Sequence, residues 1–294
     1  MMDGPGSQHS GGREGQQRAA CVSFSVVTEE MLNSPVDPAK RRLRLAAEID
    51  GELVAAGTAQ LDPYIGHGAG NMSIMVHPRF RSQGVATELY RRFDAHLTEL
   101  GALRVTANSL DDIGTGFAER RGFVKGRTTQ VSEIDPRLVR PLPAPAGVTL
   151  RPASDLPDLR AAYEVARTFA PDIPSSAPYV ELPYDEWVAA RKQALGLDLD
   201  CCFVAFDGDQ PIALTLTGIE RTNMVTTLTG THPEHRRRGY ARLVKSAALH
   251  AAAAKGVTNA LTFNDTENTA VLAFNERFGY RAHTVGCELI QTRG

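Results

Sequence analysis

Short apolar runs, separated by turn residues such as Asp207-Gly208, divide the second half of the chain into a regular series of predicted elements. A segment rich in Ala, Leu, Val and Lys follows Arg238, and these residues are strong helix formers. The predicted helices are 155–170, 183–195, 238–255 and 268–278. The predicted strands are 147–151, 201–206, 211–220, 224–231, 258–264 and one that starts at Tyr280.

The first half of the chain repeats the landmarks of the second half in the same order. Met75 to Ala86 (MVHPRFRSQGVA) aligns with Gly230 to Ala241 (GTHPEHRRRGYA), so that Gly239 lies 155 residues after Gly84. Two further pairs of segments match: Asp50-Gly51 with Asp207-Gly208, and FAERRGF at 117–123 with FNERFGY at 274–280. These matches predict two copies of one folding unit.

The length of 294 residues suits two domains. We predict a disordered tail at 1–20, a first domain at 21–135, a linker at 136–146 and a second domain at 147–294. The tail is rich in Gly, Gln and Ser, and prolines cluster in the linker. Only about fifteen residues (28–42) separate the first strand of the first copy from its hairpin, so its paired helices are missing or reduced.

Composition excludes several classes of function. A formal net charge of −2 gives no field that could neutralise phosphates along a nucleic acid, so we expect no nucleic-acid partner. The chain has no stretch of about 18 consecutive apolar residues, so we expect no membrane partner and a cytoplasmic location. The four cysteines have no CxxC spacing, and we expect no metal site.

In each copy a predicted strand runs into Arg-x-x-Gly-x-Ala and then opens a helix. The first N–H groups of a helix have no partner within the helix, and the helix dipole favours negative charge there. Glycine lets the backbone approach an anion closely. The pattern therefore predicts a pyrophosphate-binding loop in both copies.

Arg81 to Ala86 and Arg236 to Ala241 resemble the [Gln/Arg]-x-x-Gly-x-[Gly/Ala] signature of the GNAT superfamily of acetyltransferases. Asn268 to Tyr280 is similar to a later helix of that family, which ends in Gly-Phe. The resemblance implies an α/β (α+β) class with two tandem GNAT acyl-CoA N-acyltransferase folds. Each would be a mixed, twisted sheet with flanking helices, in which two central strands splay apart around acetyl-CoA.

The implied activity is transfer of an acetyl group from acetyl-CoA to a primary amine, by direct attack in a ternary complex. The expected partner is a small-molecule amine. A protein or peptide amine is an alternative acceptor, and a non-catalytic acetyl-CoA-binding regulatory module is an alternative function. We also expect the copies to pack as an intramolecular pseudo-dimer, in a monomer or a homodimer.

The resemblance places the cofactor-binding residues on the strand end, the loop and the first helical turn of each copy. In the second copy they are Thr229, Thr231, Arg236, Arg237, Arg238, Gly239, Tyr240, Ala241, Arg242 and Asn268. In the first copy they are Val76, Arg81, Gln83, Gly84, Val85, Ala86 and Thr87. The three arginines could instead form a solvated basic turn, and Asn268 could also cap its helix.

Tyr184, Asp185 and Trp187 are candidates for the acceptor pocket, although Trp187 could equally pack in a core. The position where many family members have a catalytic tyrosine holds Asn275, a candidate donor to the departing sulfur. Threonines (Thr226, Thr227) replace the usual strand glutamate, which leaves Glu220, Asp265 or a water chain past Thr227 as possible bases. Because Asp111 and Ala118 replace Asn268 and Asn275 in the first copy, we expect the chemistry in the second.

Overall fold

The computed structural model describes residues 22–26, 38–62, 65–176 and 178–294, so the predicted tail lies outside the described residues. The strands are β1 Val22–Val26, β2 Leu43–Ile49, β3 Glu52–Leu61, β4 Ala69–Val76, β5 Arg104–Ser109, β6 Val124–Ile134, β7 Val148–Pro152, β8 Phe203–Asp207, β9 Gln210–Glu220, β10 Asn223–Thr231, β11 Asn259–Asp265 and β12 Arg281–Thr292. The α-helices are α1 Val85–Glu99, α2 Asp112–Glu119, α3 Arg160–Phe169, α4 Tyr184–Leu195, α5 Tyr240–Ala254 and α6 Thr269–Phe278.

The predicted fold class, a mixed sheet flanked by helices, is confirmed. The clearest difference from the predicted elements is at 155–170, where the α-helix begins only at Arg160. Pro157 explains this late start, because a proline disfavours helical backbone in the residue before it. Leu156 is accordingly extended (φ −95°, ψ 148°), after a short 3-10 turn at Ala153–Asp155.

All twelve strands form one sheet in the order β1-β2-β3-β4-β5-β12-β6-β11-β10-β9-β8-β7. Each copy contributes an antiparallel series that ends in one parallel pair, β4 with β5 and β10 with β11. The parallel pairing is short in both copies. It covers Ala69 to Asn71 in β4 and Asn223 to Thr226 in β10, and beyond these residues the two strands of each pair separate.

The last strands of the two copies are exchanged. β12, from the second copy, pairs antiparallel with β5 of the first, and β6, from the first copy, pairs antiparallel with β11 of the second. Between them, β6 and β12 pair with each other. Leu289 of β12 is buried in the core of the first copy, and Ile134 of β6 is buried in a core of the second. Neither copy therefore completes its sheet or its core from its own residues.

The helices cover the sheet differently in the two copies. In the first, α1 lies on β2, β3 and β4 and buries Leu89, Phe93 and Leu97 at helical spacing. In the second, α5 lies on β8, β9 and β10, and α3 lies on β9 and β10. None of the helices in the described ranges is both long and apolar enough to cross a lipid bilayer.

The strand exchange predicts that a core substitution in β12 destabilises the half of the molecule to which β12 does not belong in sequence. Leu289→Ala should lower the free energy of unfolding by about 2–5 kcal/mol, because it removes a buried side chain (2% exposed) from the core of the first copy. Val285→Ala on the same strand is the matched control, since Val285 is 55% exposed, and it should cost about 0.5 kcal/mol or less. Urea unfolding measures both variants. Equal effects of the two substitutions would contradict the burial of Leu289 in that core.

Candidate functional site

The loop before α5 has the backbone of an anion-binding turn, and the loop before α1 has the same one. Gly239 and Gly84 stand immediately before the helices with φ of 86° and 83°, a left-handed conformation that favours glycine. Arg237 and Ser82, two residues earlier, both have φ of 62°. The first backbone hydrogen bond from α5 to the loop runs from the N–H of Leu243 to the carbonyl oxygen of Gly239 (3.0 Å). The N–H groups that precede Leu243 are thus the unpaired donors expected at a helix start.

A cleft of about 650 Å³ lies behind the loop of the second copy, between the end of β10 and helices α5 and α6. Most of the residues predicted to bind the cofactor in this copy line it, with Arg238 as the exception. The lining comprises Phe169, Asp172, Ile173, Thr229, Gly230, Thr231, Arg236, Arg237, Gly239, Tyr240, Ala241, Arg242, Lys245, Asn264, Asn268, Ala270, Val271, Phe274, Asn275, Arg277 and Phe278.

The wall formed by β10 offers an unpaired strand edge. β10 pairs with β11 only as far as Thr226, whereas it stays paired with β9 along its whole length. A β-bulge in the ladder with β9 lies between Thr226 and Leu228, at the point where β10 and β11 separate. Backbone groups from Leu228 to Thr231 on the β11 side are therefore available to an extended ligand, which could bind as an added strand.

A close contact shapes the same wall from the side of α3. The ring of Phe169 lies directly against Gly230 of β10, where an added Cβ atom would come within 2.2 Å of the ring. Because only glycine fits under the ring, Phe169 can lie at the edge of the cleft while itself remaining buried.

The cleft carries an excess of positive charge. Arg236, Arg237, Arg242 and Arg277 line it, and Asp172 is the one acidic residue among its lining residues. Asp172 Oδ2 accepts a hydrogen bond from Arg236 Nη2 at 2.5 Å, and both side chains are partly exposed. An anionic ligand would meet the unpaired N–H groups of the helix start together with several guanidinium groups.

A buried lysine, which the sequence analysis missed, lies on the floor of the cleft. Lys245 is 2% exposed, and its Nζ donates a hydrogen bond to Asn275 Oδ1 at 2.8 Å. Asn275 Nδ2 in turn donates to Asn264 Oδ1 at 2.7 Å. Burial lowers the pKa of Lys245 to about 7. In the sequence Lys245 reads as one more helix former in an Ala-rich segment, although its position on the buried face of α5 was a usable signal.

Asn268 and Asn275 both reach the cleft, and Asn268 also caps its helix, with its side chain accepting a hydrogen bond from the N–H of Val271. The two candidate bases lie elsewhere. Asp265 accepts a hydrogen bond from Arg127 Nε of β6 at 2.5 Å, which lowers the pKa of its carboxyl group. Glu220 is exposed at the end of β9 opposite Asn223, far along β10 from the anion-binding loop.

The three residues predicted for the acceptor pocket do not line this cleft. Trp187 is buried in the hydrophobic core beneath α3, with its ring edge-on to Tyr163 at 5.5 Å. The Tyr184 hydroxyl accepts a hydrogen bond from the N–H of Leu159, and Asp185 is exposed in the first turn of α4. The acceptor pocket built from these residues stays a prediction.

Side chains of the first copy fill the corresponding space between α1 and α2. The guanidinium group of Arg121 lies 3.5 Å from the centre of the Phe117 ring, and its Nη2 donates to Thr87 Oγ1 at 2.9 Å. Tyr90, at the position equivalent to Lys245, packs edge-on to Phe117. Arg81 of this loop forms an ion pair with Asp111. The loop geometry is thus repeated, and behind it Tyr90, Phe117 and Arg121 pack against one another.

The other residues predicted for this copy surround its loop. Val76 ends β4, Gln83 and Gly84 belong to the loop, and Val85 and Ala86 begin α1, with Val85 buried.

One group of side chains near the loop has the composition of a metal site. Ligand atoms of His232, Glu234 and His235 all lie within 4.8 Å of one another in the turn that follows β10. The Nδ1 atoms of the two histidines are buried and have no hydrogen-bond partner among the described residues. The predicted absence of a metal stays a prediction.

Solved structures with the same fold cover nearly the whole chain. A tandem GNAT protein from the clavulanic acid biosynthesis pathway, solved without AcCoA, superposes with a TM-score of 0.69 at 15% identity, over 93% of this chain and 99% of that one. A GCN5-related N-acetyltransferase from Sphaerobacter thermophilus superposes with a TM-score of 0.66 at 20% identity, over 90% and 84%. A GCN5-related N-acetyltransferase from Kribbella flavida gives 0.56 at 16% identity, over 82% and 88%.

The model of the acetyltransferase (GNAT) family matches two separate regions, residues 19–123 and 160–280. Each region contains one of the two anion-binding loops, and together the regions cover most of the chain. With its repeated loop, its two pairs of separating strands and these two matches, the chain belongs to the acetyltransferase (GNAT) family as a tandem member, and the family is one of acyltransferases.

Proposed function

We propose that this protein transfers an acetyl group from acetyl-CoA to the primary amine of a small molecule, in the cleft of the second copy. The observation that carries the proposal is the open cleft itself. It joins the anion-binding loop at Gly239 to the unpaired edge of β10, whereas at the equivalent position of the first copy Tyr90, Phe117 and Arg121 pack against one another.

The residues of the cleft fit acetyl-CoA by their chemistry. The N–H groups of Gly239, Tyr240 and Ala241, with the arginines of the lining, suit the pyrophosphate. The unpaired backbone groups around Thr229 and Thr231 suit the amides of the pantetheine arm. When bound, acetyl-CoA supplies a thioester whose carbonyl carbon an amine can attack.

The acceptor would approach from the side of Phe169, Asp172 and Ile173. Phe169 is the last residue of α3 and the other two follow the helix, and Asp172 offers a carboxylate that can attract the ammonium form of an amine. The limited volume of the cleft, about 650 Å³, and this single acidic group favour a small-molecule amine over a protein side chain. Tyr184, Asp185 and Trp187 remain proposed as a more distant part of the acceptor site.

Asn275 is proposed to donate a hydrogen bond to the departing sulfur from the floor of the cleft. For the proton that the ammonium form of the acceptor must lose before it can attack, a water chain past Thr227 is the favoured route. Asp265 is already engaged by Arg127, and Glu220 is exposed at the far end of the strand. Both carboxylates remain candidates for the end of such a chain, because each lies beside β10 or β11.

A second candidate function is that of a module that binds acetyl-CoA in the same cleft without turnover. It rests on the presence of Asn275 and threonines where family members often have tyrosine and glutamate. The two functions differ in one measurable property, which is release of free CoA in the presence of an amine.

One prediction of the proposed function concerns the site at which acetyl-CoA binds. Gly239→Asp should weaken acetyl-CoA binding more than tenfold, because its carboxylate would occupy the phosphate position. Gly84→Asp is the matched control and should have little effect. Both substitutions place the same side chain at nearly the same φ, 86° and 83°, and an added Cβ meets no atom within 4 Å at either site. Calorimetric titration measures the affinity. Weakened binding in Gly84→Asp alone would reverse the assignment.

Another prediction of the proposed function concerns catalysis. A panel of small primary amines, each incubated with acetyl-CoA and the full chain, should contain acceptors that raise the rate of free-CoA release above hydrolysis. Gly239→Asp should abolish this stimulation and Gly84→Asp should retain it. Tight acetyl-CoA binding with no stimulation by small amines or by peptide amines would instead support the regulatory module.

A further inference from the structure

Lys245 is an unusual residue to find in the interior of this protein. Its Nζ forms no ion pair in the part of the chain that the structure describes, and its hydrogen-bond acceptor is the neutral Asn275. Burying an amine in this way costs free energy that an apolar side chain would not. At the equivalent position of the first copy, Tyr90 fills the space between the two helices. Packing alone therefore gives no reason for a lysine.

The position of Lys245 places its amine inside the cleft, beyond the anion-binding loop. Lys245 is five residues into α5 from Tyr240, which corresponds to about 8 Å along the helix axis. Its side chain lines the cleft, with Nζ 4.4 Å from the centre of the Tyr280 ring and 5.8 Å from that of Phe274. The two rings and Asn275 fix the amine at the place proposed above for the departing sulfur.

We propose that Lys245, oriented by Asn275, donates the proton to the sulfur of CoA as the thioester breaks. This inference rests on the proposed function. In this step the amine nitrogen bonds to the carbonyl carbon, the C–S bond breaks, and its electron pair stays on sulfur. Sulfur takes a proton from the Lys245 ammonium group. The neutral lysine then recovers one proton from the attacking nitrogen, which must lose one to become an amide, so that protons and electrons balance.

The electrostatic surroundings suit a group that gives and regains a proton. Because burial lowers the pKa of Lys245 to about 7, the charged and neutral forms lie close in free energy near neutral pH. Tyr280 is the titratable group in contact with it, and burial raises the pKa of that hydroxyl, so it stays protonated. The other charged residues of the lining are Asp172, Arg236, Arg237, Arg242 and Arg277.

The test uses the full chain with two probes, acetyl-CoA and free CoA, and needs no acceptor. An ammonium group beside the sulfur should stabilise the thiolate of bound CoA. The thiol pKa of bound CoA, followed by the ultraviolet absorbance of the thiolate, should therefore lie at least about one unit below that of CoA in solution. Lys245→Met should remove this difference and, at a pH above the thiol pKa of free CoA, weaken binding of free CoA about tenfold, with acetyl-CoA affinity changed less than about threefold.

Lys245→Arg is the control for charge, since a guanidinium group stays charged and cannot give up its proton. This variant should keep the lowered thiol pKa of bound CoA. With any amine that the wild-type protein acetylates, it should release free CoA more slowly than the wild-type protein does. If the thiol of CoA bound to the wild-type protein has the same pKa as that of CoA in solution, the role of Lys245 is overturned. The proposed function stands in that case, provided that acetyl-CoA binds. Absence of acetyl-CoA binding would overturn both.

Discussion

The antiparallel pairing of β6 with β12 holds the molecule together, because it places the last strand of each copy inside the sheet of the other. Without it, β5 and β11 would present open edges, and each core would lose a buried residue, Leu289 or Ile134. The exchanged strand β6 also contacts a residue beside the candidate site. Arg127, on β6 of the first copy, binds Asp265 beside the cleft of the second copy. The first copy thus supports the second copy's site without contributing to the cleft lining.

The two copies share the loop that opens the helix and differ in what lies behind it. Gly84 and Gly239 share one backbone conformation, so both loops present a helix start to an anion. In the first copy, aromatic rings pack behind the loop with the guanidinium group of Arg121, which donates a hydrogen bond to Thr87 in the first turn of α1. The second copy keeps the space open and places a polar floor of Lys245 and Asn275 there. Acetyl transfer is therefore proposed for the second copy, in which a cleft lies between α5 and α6.

The sequence predicted the features that depend on local signals. The repeat, the order of strands and helices, the glycine loop and the cap at Asn268 all follow from residues near one another in the chain. The strand exchange could not be predicted, because the pairing of β6 with β12 joins residues about 150 positions apart and either strand could equally have paired within its own copy. Lys245 was missed for a similar reason: helix propensity says nothing about what covers a side chain.

The central claim is that one cleft, in the second copy, binds acetyl-CoA. Calorimetric titration of the unmodified chain with acetyl-CoA tests it directly through the number of sites. The account predicts one equivalent bound per chain, because Tyr90, Phe117 and Arg121 of the first copy pack against one another at the equivalent position. Two equivalents of similar affinity would contradict the claim, since the first copy would then have to open a cleft that Tyr90, Phe117 and Arg121 occupy.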